Sequence, residues 1–328
     1  MPNIRPWLLW LLTFYGVWLV LVVGGDRWGD VTSHWPMALS MAAGSYVAGS
    51  TPMGGGTVGF PILVLFFHEP AAMGRDFSFA VQSIGMTSAS ILILSRRQPV
   101  AWSMLAPALL GSAVGTPLGL FFVAPYLPSL MVKVLFAVVW ASFGVLHLLR
   151  MRDVVRHEGP APSAPAMDRN VGLAVGFFGG LFVASVTGVG IDMLIYCALV
   201  LLAQGDLKVA IPTSVILMSF TSLVGVVTQT ARGGLAPGTF ENWLAAAPVV
   251  ALGAPLGAVV VDKIGRTPTL YFVSVLCILQ FVWTMLDGFE ELQWVGVGLA
   301  LLGVVVTNLG FEGLFRLGQR LNRRGTSA

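Results

Sequence analysis

Apolar runs of about 20 residues recur along the chain, separated by short stretches rich in arginine, aspartate, proline and glycine. A helix rises 1.5 Å per residue and a bilayer core is about 30 Å thick, so such runs predict membrane-crossing helices. Eight fit this description, at about 7–23, 77–95, 100–123, 129–150, 207–229, 239–261, 268–286 and 292–312. Two segments do not. Residues 36–67 and 171–203 are each some 32 residues long and carry glycines near their middles. They are too long for one crossing and too short for two. Each therefore predicts a helical hairpin that enters to about mid-depth and leaves by the same face, a path allowed where irregular backbone is buried in protein or lines a cavity.

Composition agrees with a bilayer setting. Hydrophobic residues make up 56% of the 328 and charged ones only 10%, against about 25% charged in soluble domains. The net charge of +3 comes from loop arginines that are not interleaved with aromatics, which excludes a nucleic-acid partner. Cys197 and Cys277 sit in apolar runs without metal-ligand spacing and read as buried thiols. The first 30 residues have no small-x-small cleavage site and predict an uncleaved first helix. If both glycine-broken segments re-enter, 14 of the 18 Lys and Arg residues fall on one side, and Asp287, Glu290 and Glu291 fall on the other. Single crossings would split the basic residues 10 against 8, so the positive-inside rule favours re-entry. It also places both termini in the cytoplasm of a multi-pass inner (plasma) membrane protein.

The chain repeats itself. "WSMLAP" at 102–107 and "GTPLG" at 115–119 follow the first broken segment, and "WLAAAP" at 243–248 and "GAPLG" at 253–257 follow the second. Each unit is one hairpin plus three crossings, and an odd number of crossings inverts the second copy. The reading is a single all-α membrane transport domain over 1–328, with inverted repeats at about 36–150 and 171–286. A flexible cytoplasmic connector covers 151–170, and extra terminal helices lie at 7–23 and 292–312. In transporters built this way the substrate sits near the midplane between repeats, on discontinuous helices.

The breaks carry the candidate chemistry. The first is "AGSTPMGGGTVGFP" at 48–61, and the second contains "SVTGVGIDMLIY" at 185–196. The crossings hold almost no ionisable groups, so an anion would be bound without a formal positive charge. Two helix N-termini, each worth about half a positive charge and offering free N–H groups, would face one another. Gly54, Gly55 and Gly56, with Gly188, Val189 and Gly190 opposite, let backbone approach a ligand and adopt left-handed conformations. Ser50, Thr51, Thr57 and Thr187 supply hydroxyls, and Pro52 and Pro61 shape the break. Gln82, Ser83, Thr213 and Ser214, on the helices after each break, either line the cavity or bond back to their own helices. Asp192 is an intramembrane carboxylate: it either couples proton movement to transport or accepts backbone N–H groups and holds the tip. Lys133 is expected to snorkel to the outer interface, and His68 and His147 form no metal site.

These motifs resemble the TauE/SafE sulfite exporter family. The likeness rests on the glycine triplet followed by proline, the related Thr-Gly-x-Gly in the second half, and the helix "LKVAIPTSVILMSFTSLVG" after it. In the second half, Val189 and Asp192 stand where further glycines would extend the pattern. The resemblance implies export of small sulfur-bearing or organic anions, such as sulfite, sulfonates and sulfoacetate. It implies no cofactor, with coupling to protons or another ion left open, and it is compatible with an oligomer. No nucleophile, acid–base pair or metal set supports an enzyme. A small-anion channel, which would share the tips but need a continuous pore, is the alternative.

Overall fold

The computed structural model describes residues 4–155, 165–264 and 266–325, and these are helical throughout apart from short turns. The expected connector over 151–170 lies partly outside them, at 156–164. The elements are α1 (Arg5–Gly24), α2 (Trp28–Ser33), α3 (Trp35–Ser50), α4 (Gly56–Phe66), α5 (Ala71–Ser95), α6 (Trp102–Phe122) and α7 (Ser129–Val155). They continue with α8 (Ala166–Thr187), α9 (Ile191–Leu202), α10 (Leu207–Ala231), α11 (Thr239–Ile264), α12 (Arg266–Asp287) and α13 (Phe289–Gly325). Nine of the described helices are long and apolar enough to cross a membrane: the eight expected crossings and α8.

Both broken segments are hairpins. Trp35, Pro36 and Leu39, at the start of α3, share a groove with Leu65, Phe66 and Phe67 at the end of α4. Likewise Asp168, near the start of α8, lines one cavity with Leu199 at the end of α9 and Ala203 and Gly205 just beyond it. Helices α5 and α10 run antiparallel, with Thr87 bonded to Ser219 and Asp76 to Gln229. The two hairpins thus enter from opposite ends. The reach differs from expectation: α8 alone has 22 residues, about 33 Å at 1.5 Å per residue, so the first arm of the second hairpin is longer than a half-depth arm needs to be. Packing allows this because α8 lies along α6 for its whole length, from Gly172 against Met104 to Ser185 against Gly119.

That packing explains the repeated motifs. Gly115 and Gly119 of "GTPLG" meet the backbone of α8 at Phe177 and Leu181, while Gly253 and Gly257 of "GAPLG" meet α3 at Ser45 and Tyr46. Small residues let helix backbones touch where lipid gives no hydrophobic drive to associate. Helix α6 therefore grips the first arm of the second hairpin, and α11 the first arm of the first. A Cβ on Gly257 would stand 2.6 Å from the Tyr46 carbonyl oxygen. Gly257→Ala is expected to cost about 1–3 kcal/mol of stability by overpacking, read as a lower melting temperature of the purified protein.

One turn also occurs twice, 136 residues apart. Helix α4 ends in the π-helical stretch Ile62–Phe66 and α9 in Ala198–Leu202. Each is closed by the same bonds: Phe67 N–H to Ile62 and Glu69 N–H to Leu63, then Ala203 N–H to Ala198 and Gly205 N–H to Leu199. His68 and Gln204 both adopt positive φ, at 56° and 52°. Helices of 25 residues follow in both cases. At this spacing Gly54 corresponds to Gly190, Gly56 to Asp192, and Gln82 to Met218.

The expected start of the second crossing at residue 77 is corrected. Helix α5 begins at Ala71, and Arg75 and Asp76 lie buried inside it. Their charges are tolerable there because they are paired. Asp76 accepts hydrogen bonds from Arg75 Nε (2.8 Å), Gln229 Nε2 (2.8 Å) and the Ala236 N–H (2.9 Å). Lys133 does not stand alone at the interface either, since it lies 3.8 Å from Asp287 at the same end.

Candidate functional site

The two hairpin tips meet in the interior, against α5 and α7. A Cβ on Gly56 would lie 2.6 Å from Ser78 Oγ and would collide with Val189 Cγ1. One on Gly188 would stand 2.9 Å from Ser78 Cβ. Gln82, one turn beyond Ser78, donates from Nε2 to the Ser78 carbonyl (2.8 Å) and to the Gly188 carbonyl (2.9 Å), tying α5 to the second tip. Because both partners are carbonyls, the amide can point only one way, with Oε1 toward Gly54.

Glycine serves the two tips for different reasons. Gly188 and Gly190 adopt φ of 79° and 95°, where a side chain would be strained. Gly54, Gly55 and Gly56, expected to use the same freedom, do not have positive φ. At the first tip glycine is needed for close approach: a Cβ on Gly54 would collide with Gln82 Oε1 and come within 3.2 Å of Asp192 Oδ2.

Trp140 of α7 joins the tips from below. Its Nε1 donates to Thr57 Oγ1 (2.9 Å), and its ring edge lies where a Cβ on Gly190 would come within 2.9 Å. Stacking on Phe136, itself stacked on Phe60, fixes the ring, with centroids 4.0 and 4.4 Å apart. Trp140→Phe removes one buried hydrogen bond and is expected to cost about 0.5–1.5 kcal/mol, measured by thermal unfolding.

The expected hydroxyl donors are largely engaged within their own helices. Ser50 bonds to the Tyr46 carbonyl, Thr51 to Val47, Thr187 to Val183 and Val189, Ser83 to Ala80, and Ser214 to Ile211. Thr213 bonds back to Val209 and accepts from the Ala101 N–H, beyond the tips. Membrane helices offer few other acceptors, so back-bonding satisfies these groups most cheaply. Ser78, Arg75 and Trp140 were not legible as site residues, because the sequence gives no sign of which helix faces turn toward the hairpins.

Asp192 divides its carboxylate. Oδ1 accepts from the Gly190 N–H (3.1 Å) and the Met193 N–H (3.0 Å) and so occupies the N-terminus of α9. Of the two roles expected for Asp192, this is the acceptance of backbone N–H groups at the tip, and the protein's own carboxylate sits at the N-terminus that the sequence reading offered to an anion. Beside the tips lies a void of about 10 Å³, lined by Gly55, Gln82, Gly85 and Val250 among others. That holds at most one water, so in this conformation the tips are closed. A larger cavity of about 160 Å³, lined by Thr57, Val58, Cys277 and Gln280, adjoins the first hairpin. Cys197 and Cys277 are buried free thiols, and His147 is buried and bonded to the Tyr196 hydroxyl at 2.9 Å. No metal-binding group of side chains occurs among the described residues.

A bundle of apolar, membrane-length helices with two broken hairpins meeting at its centre defines a polytopic membrane transport protein. The chain belongs to the sulfite exporter TauE/SafE family, whose model matches residues 36–285. No curated protein and no solved structure matches it.

Proposed function

We propose that the chain is a secondary transporter that moves a small sulfur-bearing or organic anion, of the sulfite, sulfonate or sulfoacetate type, by alternating access. Family membership suggests the substrate class, and export is the direction it favours. The meeting of two glycine-broken tips, entered from opposite ends of the bundle, carries the reading. The matching turns 136 residues apart, on helices that run antiparallel, support two inverted repeats rocking about this point. The anion would bind between the tips when they part, on the backbone N–H groups of Gly54–Gly56 and Gly188–Gly190 and the hydroxyls beside them. Both termini would lie in the cytoplasm, at the basic end of the bundle.

The closed tips favour a carrier over a channel, because a void of about 10 Å³ is no continuous pore. Purified protein in proteoliposomes tests this with sulfite, sulfoacetate and a carboxylate of similar size. Accumulation of one labelled anion against its gradient, driven by a counter-gradient of unlabelled anion, is expected. Flux that only dissipates gradients would identify a channel and overturn the reading.

A further inference from the structure

Two buried acceptor oxygens lie beside Gly54 at the tips. Gln82 Oε1 and Asp192 Oδ2 both lack a hydrogen-bond partner, and their residues are 1% and 0% exposed. Both border the position a Cβ on Gly54 would occupy, so they are near neighbours. Leaving two such groups unsatisfied away from water costs about 1–3 kcal/mol each, more for a charge. A single proton on Oδ2 satisfies both at once, by donation to Gln82 Oε1. The Gln82 amide is fixed by its two carbonyl partners, so it cannot turn to offer an N–H instead.

The corresponding positions lack both groups: the first tip has glycine, Gly56, where the second has Asp192, and α10 has Met218 where α5 has Gln82. We infer that Asp192 and Gln82 form a proton-binding site that locks the tips together, bridging the second hairpin to α5 beside Gly54 of the first. This inference rests on the transport reading above and supplies its coupling ion. Loss of the proton would set a carboxylate against an amide oxygen and against the close-packed first tip, and would favour parting them. Release of the α9 N-terminus by movement of Oδ1 would then expose N–H groups to the anion.

The other charged and titratable groups around Asp192 have partners elsewhere. From α5 come Arg75 and Asp76, paired with each other. From α7 comes His147, bonded to Tyr196 one turn along α9 from Asp192. The first hairpin offers only Tyr46, bonded to Thr269. Helix α8 carries Asp168, bonded to Ser103 at its far end, and α10 begins with Lys208, which is exposed. Cys197, also on α9, is a buried thiol.

The test needs no transported anion, so it can fail while the transport reading stands, or the reverse. The infrared difference spectrum of the full chain in lipid nanodiscs should show a protonated-carboxyl band that shifts in D2O and bleaches as pH rises. The band should be missing from Asp192→Asn. A proton bound by the closed tips and released on unfolding makes the folded-to-unfolded ratio drop about tenfold per pH unit from the ordinary carboxylate range up to the midpoint of the band's bleach, and level off above it, and Asp192→Asn should lack this slope. If Asp192→Asn does not fold, Gln82→Met should keep the band but shift it to higher frequency through loss of its acceptor. Identical wild-type and Asp192→Asn spectra at every pH would overturn the inference, as would an unmoved band in Gln82→Met. So would stabilisation by Na+ over choline at fixed pH, present in wild type and absent in Asp192→Asn, since it would make the site a sodium site.

Discussion

Gly56→Ala is expected to lower transport roughly 5- to 150-fold while leaving the protein folded. The added methyl meets Val189 Cγ1 and two atoms of Ser78, at 2.6 and 2.7 Å for Oγ and Cβ. None is the free end of a long side chain, since Ser78 is pinned by its own bond to the Gly74 carbonyl. Overpacking of this kind costs about 1–3 kcal/mol. Here the cost falls on the closed arrangement of the tips, because the clash joins the two hairpins rather than lying within one. A shift of that size changes the ratio of closed to open states by roughly 5- to 150-fold. Proteoliposome flux should fall in that range, with a melting temperature lowered but still cooperative. Val189→Ala in the same chain removes the worst contact and should restore part of the flux, and the double-mutant cycle would give the coupling directly. Flux equal to wild type in Gly56→Ala would mean that the tips need not close during transport.

The largest effect on stability is expected at Asp76→Ala. Three donors converge on this carboxylate from α5, α10 and the turn before α11. Truncation strips all three of their acceptor and leaves the mostly buried Arg75 charge uncompensated. Breaking a buried pair from one side costs about 3–5 kcal/mol, enough to prevent recovery of folded protein. Replacing both charges, as Arg75→Met with Asp76→Asn, should be tolerated better than Asp76→Ala, because no lone charge remains. Yield and monodispersity on size exclusion distinguish these outcomes. The same pair keeps charge close to the second tip, since the Arg75 carbonyl borders Gly188.

Much of the architecture was legible in the sequence because hydropathy and length act locally. At 1.5 Å per residue a 32-residue segment cannot cross once or twice in comfort, and the basic loops fell consistently on one side only if both segments turned back. The structure brings the two arms of each hairpin to one end, as that reading required. The motifs "GTPLG" and "GAPLG" were visible as a repetition, but their purpose was not. Contact of α6 with α8, and of α11 with α3, is a long-range matter with no local trace. For the same reason the span beginning at 77 missed Arg75 and Asp76: two adjacent charges look like a loop until partners on other helices neutralise them.

The site divides along the same line. Sequence by itself determined that the chain is a helical membrane transport protein of the TauE/SafE kind. It also placed two glycine-rich breaks in the apolar segments and a carboxylate in the second. Only tertiary structure decided that the breaks meet, that glycine serves close approach at one tip and positive φ at the other, and that most nearby hydroxyls are spent on their own helices. It also brought Gln82 to Gly188, 106 residues away, and set Gln82 Oε1 beside Asp192 Oδ2. The physical reason is that periodicity fixes which residues share a helix face, whereas the crossing and depth of packed helices fix which faces meet. Asp192 could thus be recognised as an intruder in a run of small residues, but its two oxygens acquire separate roles only in the packed molecule.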